Sequence, residues 1–164
     1  PFAATAIGLA IALDREAGYS LTERLSRTFG VFRESEAGGD VVFDPIFPRD
    51  TALPAPGEPP VSTSRRYRAA HNIGHFRFLE CGRIQDGHPD GDVTPWDELR
   101  FPFVPSLRGA NLERVAVERL PRGEGPEVEE RYLLDDAGIV EVKVTILDDG
   151  FSGDFRLKSP SSPL

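Results

Sequence analysis

The stretch Tyr132-Leu-Leu-Asp-Asp-Ala-Gly-Ile-Val-Glu-Val-Lys-Val-Thr-Ile-Leu147 decides the fold. Val140, Val142, Val144 and Ile146 alternate with Glu141, Lys143 and Thr145, the period of two that gives a strand one buried face and one wet face. Between Leu134 and Ile139 stands Asp135-Asp136-Ala137-Gly138, a four-residue turn with glycine where a positive φ is wanted. Residues 132–147 are therefore predicted to form a β-hairpin.

Similar short runs, separated by Gly, Pro and Asp, continue through most of the chain. They predict strands at about 25–33, 41–47, 61–67, 73–80, 99–104, 112–120, 127–134, 139–147 and 151–158. Strands this short and this closely spaced predict a mainly β protein, an antiparallel β-sandwich of about 8–9 strands. Pro54, Pro56, Pro59 and Pro60 make a stiff connector, and residues 85–95 are expected to form a polar loop. Residues 3–13 are Ala, Leu, Ile and Thr with one Gly, so a short N-terminal helix buried against something larger is expected. The organisation that follows is a helix over 1–14, a linker over 15–24, the sandwich over 25–158 and a flexible tail over 159–164.

The chain has 164 residues, of which 39% are hydrophobic and 28% charged, the composition of a soluble globular domain. Its net charge of -8 repels phosphate backbones and anionic lipid, so neither nucleic acid nor membrane is an expected partner. The one basic cluster, Arg65, Arg66 and Arg68, is too short for a nucleic-acid stripe and reads as a solvated strand end. The single cysteine, Cys81, excludes an internal disulfide framework and multi-cysteine metal sites, and suits a reducing, cytoplasmic compartment. The apolar run 2–13 falls well short of the roughly 20 residues that span a bilayer. A chain that starts at Pro1 and contains no Met is expected to be a piece of a longer protein.

Catalytic constellations are not visible. Gly150-Phe151-Ser152-Gly153 lacks the spacing of a nucleophile elbow and reads as a hairpin turn. His71 and His75, four apart on an expected strand, would stand roughly 13 Å apart, too far to share a metal. His88 has no implied partner. The carboxylates of Asp86, Asp90 and Asp92 lack the alternate-position acids and terminal Glu of a calcium loop, and no phosphate-cradling glycine loop is present. Glu127, Glu129, Glu130, Asp148 and Asp149 come without an implied opposing group and read as wet strand faces and turns. Cys81 has only Arg83 nearby to favour a thiolate, and Trp96 reads as a core anchor. The fragment is expected to be non-catalytic, with no metal site and no cofactor of its own. A small hydrolase built on His71 or His88 would need a convergence that the sequence does not imply.

Read in order, several segments resemble the peptide-binding sandwich of the seventy-kilodalton heat-shock (DnaK-type) chaperones. The stretch from Pro126 through Asp135-Asp-Ala-Gly-Ile-Val-Glu-Val-Lys-Val144 is similar to that family's hairpin, in which a strand enters an Asp-x-Asp-Gly-Ile turn and returns as alternating valines. Phe43-Asp-Pro-Ile-Phe-Pro-Arg-Asp-Thr-Ala-Leu-Pro54 is similar to the family's apolar pair, basic residue, small polar pair and Pro. Residues 73–82 resemble a family strand ending before Gly. Ala4-Thr-Ala-Ile-Gly-Leu-Ala-Ile-Ala12 resembles the last helix of its ATPase domain.

The resemblance implies a cleft between the first two hairpins that holds an extended peptide by main-chain hydrogen bonds and one apolar pocket. Carried over by position, Phe29, Gly30, Val31, Val61, Ser62, Thr63, Gly74 and Phe76 would line it. ATP would belong only to an ATPase domain preceding this fragment. Unfolded or extended polypeptide, that ATPase domain and co-chaperones would be the partners.

Three departures stand out. The docking linker reads Tyr19-Ser-Leu-Thr-Glu-Arg-Leu25, which puts coupling to ATP in question. Gly74 replaces a branched aliphatic, which predicts a wider or differently filled pocket. No helical lid follows the sandwich, so peptide release should be fast. A second expectation is a degenerate sandwich that serves as a structural module, or self-associates through its open cleft or N-terminal helix.

Overall fold

In the computed structural model the described residues are 22–35 and 40–158. The expected N-terminal helix, most of the linker and the tail lie outside them. Among these residues eight strands form: β1 (Thr28–Glu34), β2 (Val41–Phe47), β3 (Val61–Arg68), β4 (Ile73–Gln85), β5 (His88–Pro102), β6 (Glu127–Leu134), β7 (Val140–Ile146) and β8 (Ser152–Leu157). They make two four-stranded antiparallel sheets, ordered β2-β1-β4-β5 and β3-β6-β7-β8. The fold is a mainly β sandwich, as the alternation predicts.

The two sheets stack strand over strand. Arg33 on β1 reaches Glu130 on β6, Arg65 on β3 reaches Asp44 on β2, and Phe101 on β5 meets Phe155 on β8 at 6.3 Å between ring centres. Between the layers lie Phe29, Val31, Phe76, Phe78 and Phe101 from one sheet. Val128, Tyr132, Leu134, Val140, Val142, Val144 and Ile146 from the other are all essentially inaccessible. Trp96 packs on this core, 4.7 Å from the Phe29 ring. Burying the aromatic rings and aliphatic side chains of both inner faces is what drives the layers together.

The hairpin over 132–147 forms as expected. Asp135 accepts from the amides of Ala137 and Ile139 and Gly138 takes φ 76°, so the turn satisfies its own backbone.

Two expectations are corrected. Residues 85–95 are not a polar loop. They are the tip of the longest hairpin, where Gln85 pairs with His88 across Asp86 (φ 51°) and Gly87 (φ 77°). Both central residues sit at positive φ, as a two-residue primed turn demands. Pro89, Pro95 and Pro102 are tolerated because among the described residues β5 is an edge strand, with no ladder on its outer side.

Residues 112–120 are not a ninth strand of either sheet. Leu112–Arg114 is a single 3-10 turn begun by Asn111, whose side chain accepts from the Glu113 amide. Farther on, only an isolated bridge between Arg119 and His71 remains. At the other end of the described chain, Glu23 and Arg24 already bond to Leu53 and Ala52, so the segment entering the sandwich is tied to it.

Candidate functional site

The alternation that buries β6 also buries a charge. Val128, Glu130, Tyr132 and Leu134 share its inner face, and the Glu130 carboxylate is wholly inaccessible. On β1, the inward series Phe29, Val31 ends in Arg33. The Arg33 guanidinium donates to Glu130 Oε1 at 2.9 Å and Oε2 at 2.6 Å, a bidentate pair. Tyr67 and Tyr132 donate their hydroxyls to the same carboxylate. Arg33 Nε also donates to Asp44 at 2.7 Å, and Asp44 in turn accepts two bonds from Arg65. This node joins β1, β2, β3 and β6, two strands from each sheet.

Electrostatics follow from burial and pairing. Burial alone would lower the Arg33 pKa, yet the bonds and charge of Glu130 hold it above the usual arginine range. For Asp44, burial works to raise the value, and the bonds from Arg65 and Arg33 outweigh it and hold the carboxyl below the usual range. Burial, and then the charge of Glu130, push both Tyr67 and Tyr132 well above an ordinary phenol.

The expectation that Glu127, Glu129 and Glu130 lack opposing groups is therefore overturned. In the β3–β6 ladder Arg68 faces Glu127, Arg66 faces Glu129 and Arg65 faces Glu130. The first two pairs close as surface salt bridges, whereas Glu130 turns inward to Arg33. Arg66 and Arg68 form the exposed strand face, matched across the ladder to acids, whereas Arg65 turns to Asp44 of the other sheet.

A second feature lies at the end of the sandwich next to Arg33. β1 pairs with β4 only through Thr28–Cys81, Phe29–Glu80, Gly30–Leu79 and Val31–Phe78. Beyond Val31 the two strands part. Among the described residues no ladder joins 32–34 to 73–77, so β4 there is paired with β5 alone. Into this fork run the connection between β3 and β4 and a stretch of the long connection between β5 and β6. Asn72 donates its amide to Glu118 O at 2.9 Å, and Leu120 donates to Ala70 O at 2.8 Å. The Asn72 side chain, on a residue only 8% exposed, donates to Ala116 O and accepts from the Glu118 amide. Arg119 donates to Glu34 on β1, and His71 Nε2 lies 3.4 Å from the other Glu34 oxygen. The chain's own residues 116–120 thus lie as an extended segment across the fork.

The residues expected to line a peptide cleft are split by the fold. Phe29, Gly30 and Val31 sit on β1, Gly74 and Phe76 on β4 of the same sheet, and Val61, Ser62 and Thr63 on β3 of the other. Phe29, Val31 and Phe76 are at most 5% exposed and serve the core. β1 carries a partner on each edge along 29–31. Gly30 is covered by the Phe43 ring, and a Cβ on Gly74 would stand 2.5 Å from Phe103 and 2.7 Å from Phe76, whose rings fill that space. Of these residues, Gly74 and Phe76 lie on the stretch of β4 that, among the described residues, has no ladder to β1. Val61, Ser62 and Thr63 lie on the edge strand of the second sheet, where Ser62 is exposed.

Other candidates fall into pairs or into the core. His75 bonds Glu98, and His88 closes the hairpin tip. Among the described residues no cluster of three or more His, Cys, Asp or Glu could hold a metal, and no helix is long and apolar enough to cross a membrane. Burial raises the Cys81 thiol pKa against the backbone bonds that favour its thiolate.

The described residues thus form an antiparallel β-sandwich of two four-stranded sheets with a buried charged node and an occupied fork. No protein-family model and no curated protein matches the chain.

Removing one partner of the node should be costly. Arg33→Ala is expected to lose about 3–5 kcal/mol in urea unfolding, because it strands a buried carboxylate. The double change Arg33→Met with Glu130→Leu should lose far less.

Stability should fall at both pH extremes. Asp44 is more acidic folded than unfolded, so its contribution is present above the ordinary value of about 4 and is lost as pH falls through the lower folded value. Tyr67 and Tyr132 are weaker acids folded than unfolded, so theirs is present below about 10 and is lost as pH rises further. Phenolate absorbance from these two tyrosines should appear only together with alkaline unfolding followed by circular dichroism.

Proposed function

We propose that the chain is the peptide-binding β-sandwich of a heat-shock-type chaperone, a non-catalytic module that holds extended apolar segments mainly through their main chain. The observation that carries the reading is the fork. A stretch of β4 whose β1-side edge carries no ladder among the described residues begins beside Ala70 and Asn72, which already hold an extended segment by two main-chain bonds. Such bonds are indifferent to side-chain identity, so a site of this kind accepts many sequences. The ordered motifs around Phe43–Pro54 and Asp135–Val144 support the same reading. On this reading ATP is bound by an ATPase domain and not by the sandwich. Unfolded polypeptide, that domain and co-chaperones are the partners, and the cytoplasm is the compartment.

One observation favours a second reading, a sandwich retained as a structural or self-association module. Phe29, Val31 and Phe76 are committed to the core, and Phe76 and Phe103 fill the space beside Gly74 where an apolar pocket was expected.

Titration of a labelled, extended apolar heptapeptide separates the two. The chaperone reading expects saturable anisotropy, competed by unlabelled peptide but not by the same peptide N-methylated on alternate amides. Absence of saturable binding, together with concentration-dependent self-association in sedimentation, would favour the second reading.

A further inference from the structure

We infer that residues 116–120 are a resident intramolecular ligand, a displaceable strap that must leave the fork before an extended peptide can bind there. The inference rests on the peptide-binding reading and adds its regulation.

The contacts are those of a bound peptide more than those of a structural strand. His71 and Arg119 oppose each other as an isolated antiparallel bridge, flanked by the Asn72–Glu118 and Leu120–Ala70 bonds. A strand built into a sheet would continue on both sides, but among the described residues this one stops after a single bridge. Its outer side is open to solvent. Ala116, Val117, Glu118 and Arg119 are exposed, Val117 at 44%. The segment gives little apolar area to the core, so little hydrophobic free energy holds it down.

What holds it is the polar grip of Asn72, the Glu34–Arg119 pair, and Leu120. Leu120 lines a cavity of about 360 Å³ with Phe103, Pro126 and Ile146, where Arg108 pairs with Asp149. The supply of chain is ample. The strap lies within a long connection that carries only two 3-10 turns, Pro105–Leu107 and Leu112–Arg114. A segment on such a tether can leave without unravelling either sheet.

Occupancy of this kind lowers apparent affinity by the fraction of molecules with the strap open. It also makes the fork selective, since an incoming peptide must outcompete a segment present at high effective concentration.

The bridge geometry supplies the test. His71 and Arg119 form a non-hydrogen-bonded antiparallel pair, whose Cα atoms come close enough for a disulfide. The variant His71→Cys/Arg119→Cys is titrated with the labelled heptapeptide, oxidised and then reduced, beside the unaltered chain. Oxidation is expected to abolish binding. Reduction should restore it at an affinity at least about three-fold tighter than the unaltered chain, because the Glu34 contacts are gone.

Glu118→Pro, which removes one strap amide without touching the fork, should tighten binding in the same direction. Equal binding in the oxidised and reduced forms overturns the strap and leaves the peptide-binding reading standing. Absence of binding by the unaltered chain and by both redox forms overturns that reading and the strap with it.

Discussion

The bidentate bond between Arg33 and Glu130 is the constraint on which the rest of this sandwich depends. Two layers of Phe, Val, Ile and Leu can slide by one residue pair along a strand and still bury most of their area. A buried carboxylate that needs a guanidinium and two phenol hydroxyls cannot. Glu130 finds Arg33, Tyr67 and Tyr132 only when β1 lies over β6 in one register. Buried ion pairs add little net stability, because desolvation consumes most of the attraction. The node is better understood as choosing one alignment of the sheets than as strengthening them.

That choice has a local consequence. Arg33 is the last inward residue of β1, and Asp44 ties it to β2 and, through Arg65, to β3. The end of β1 is thereby pinned while β4 parts from it beyond Val31. Glu34, the next residue, is held where His71 and Arg119 can reach it. The same charges that set the sheets in register therefore hold the fork open and place its anchor. The outer face of the same sheet is ordered differently. There, Phe43 lies across Gly30 and packs with Phe32, Leu79 and Cys81, a small apolar patch outside the main core.

Much of this was legible in the sequence. The 132–147 hairpin announces itself by strict alternation and by a turn whose Asp caps its own backbone. The tip at Asp86-Gly87 carried an equally direct signal, since Asp-Gly is a favoured two-residue turn. It was obscured because both faces of the hairpin are wet there and Pro89 and Pro95 argue against a central strand. Residues 112–120 misled for the opposite reason. Their apolar spacing suits a strand, but each sheet is complete without them, and propensity alone cannot supply a partner.

The node was partly readable. Glu130 interrupts Val128, Tyr132 and Leu134 on one face, as Arg33 ends the series Phe29 and Val31, and a charge in an apolar series asks for a counter-charge. What no local pattern gives is that these two meet, nor that Arg66 and Arg68 face Glu129 and Glu127 across some sixty residues of chain. Asn72 and Arg119 were invisible for the same reason, since their importance lies wholly in a contact between distant loops.

Whether the pinned fork is where an extended chain is held is decided by an amide chemical-shift map of the isotopically labelled protein during titration with an unlabelled apolar heptapeptide. Shifts are expected to concentrate at Glu34, Ala70, His71, Asn72 and Gly74, with residues 116–120 moving towards the shifts of a free chain. Shifts centred on the β3 edge or the β8 edge, with residues 116–120 unchanged, would contradict that placement.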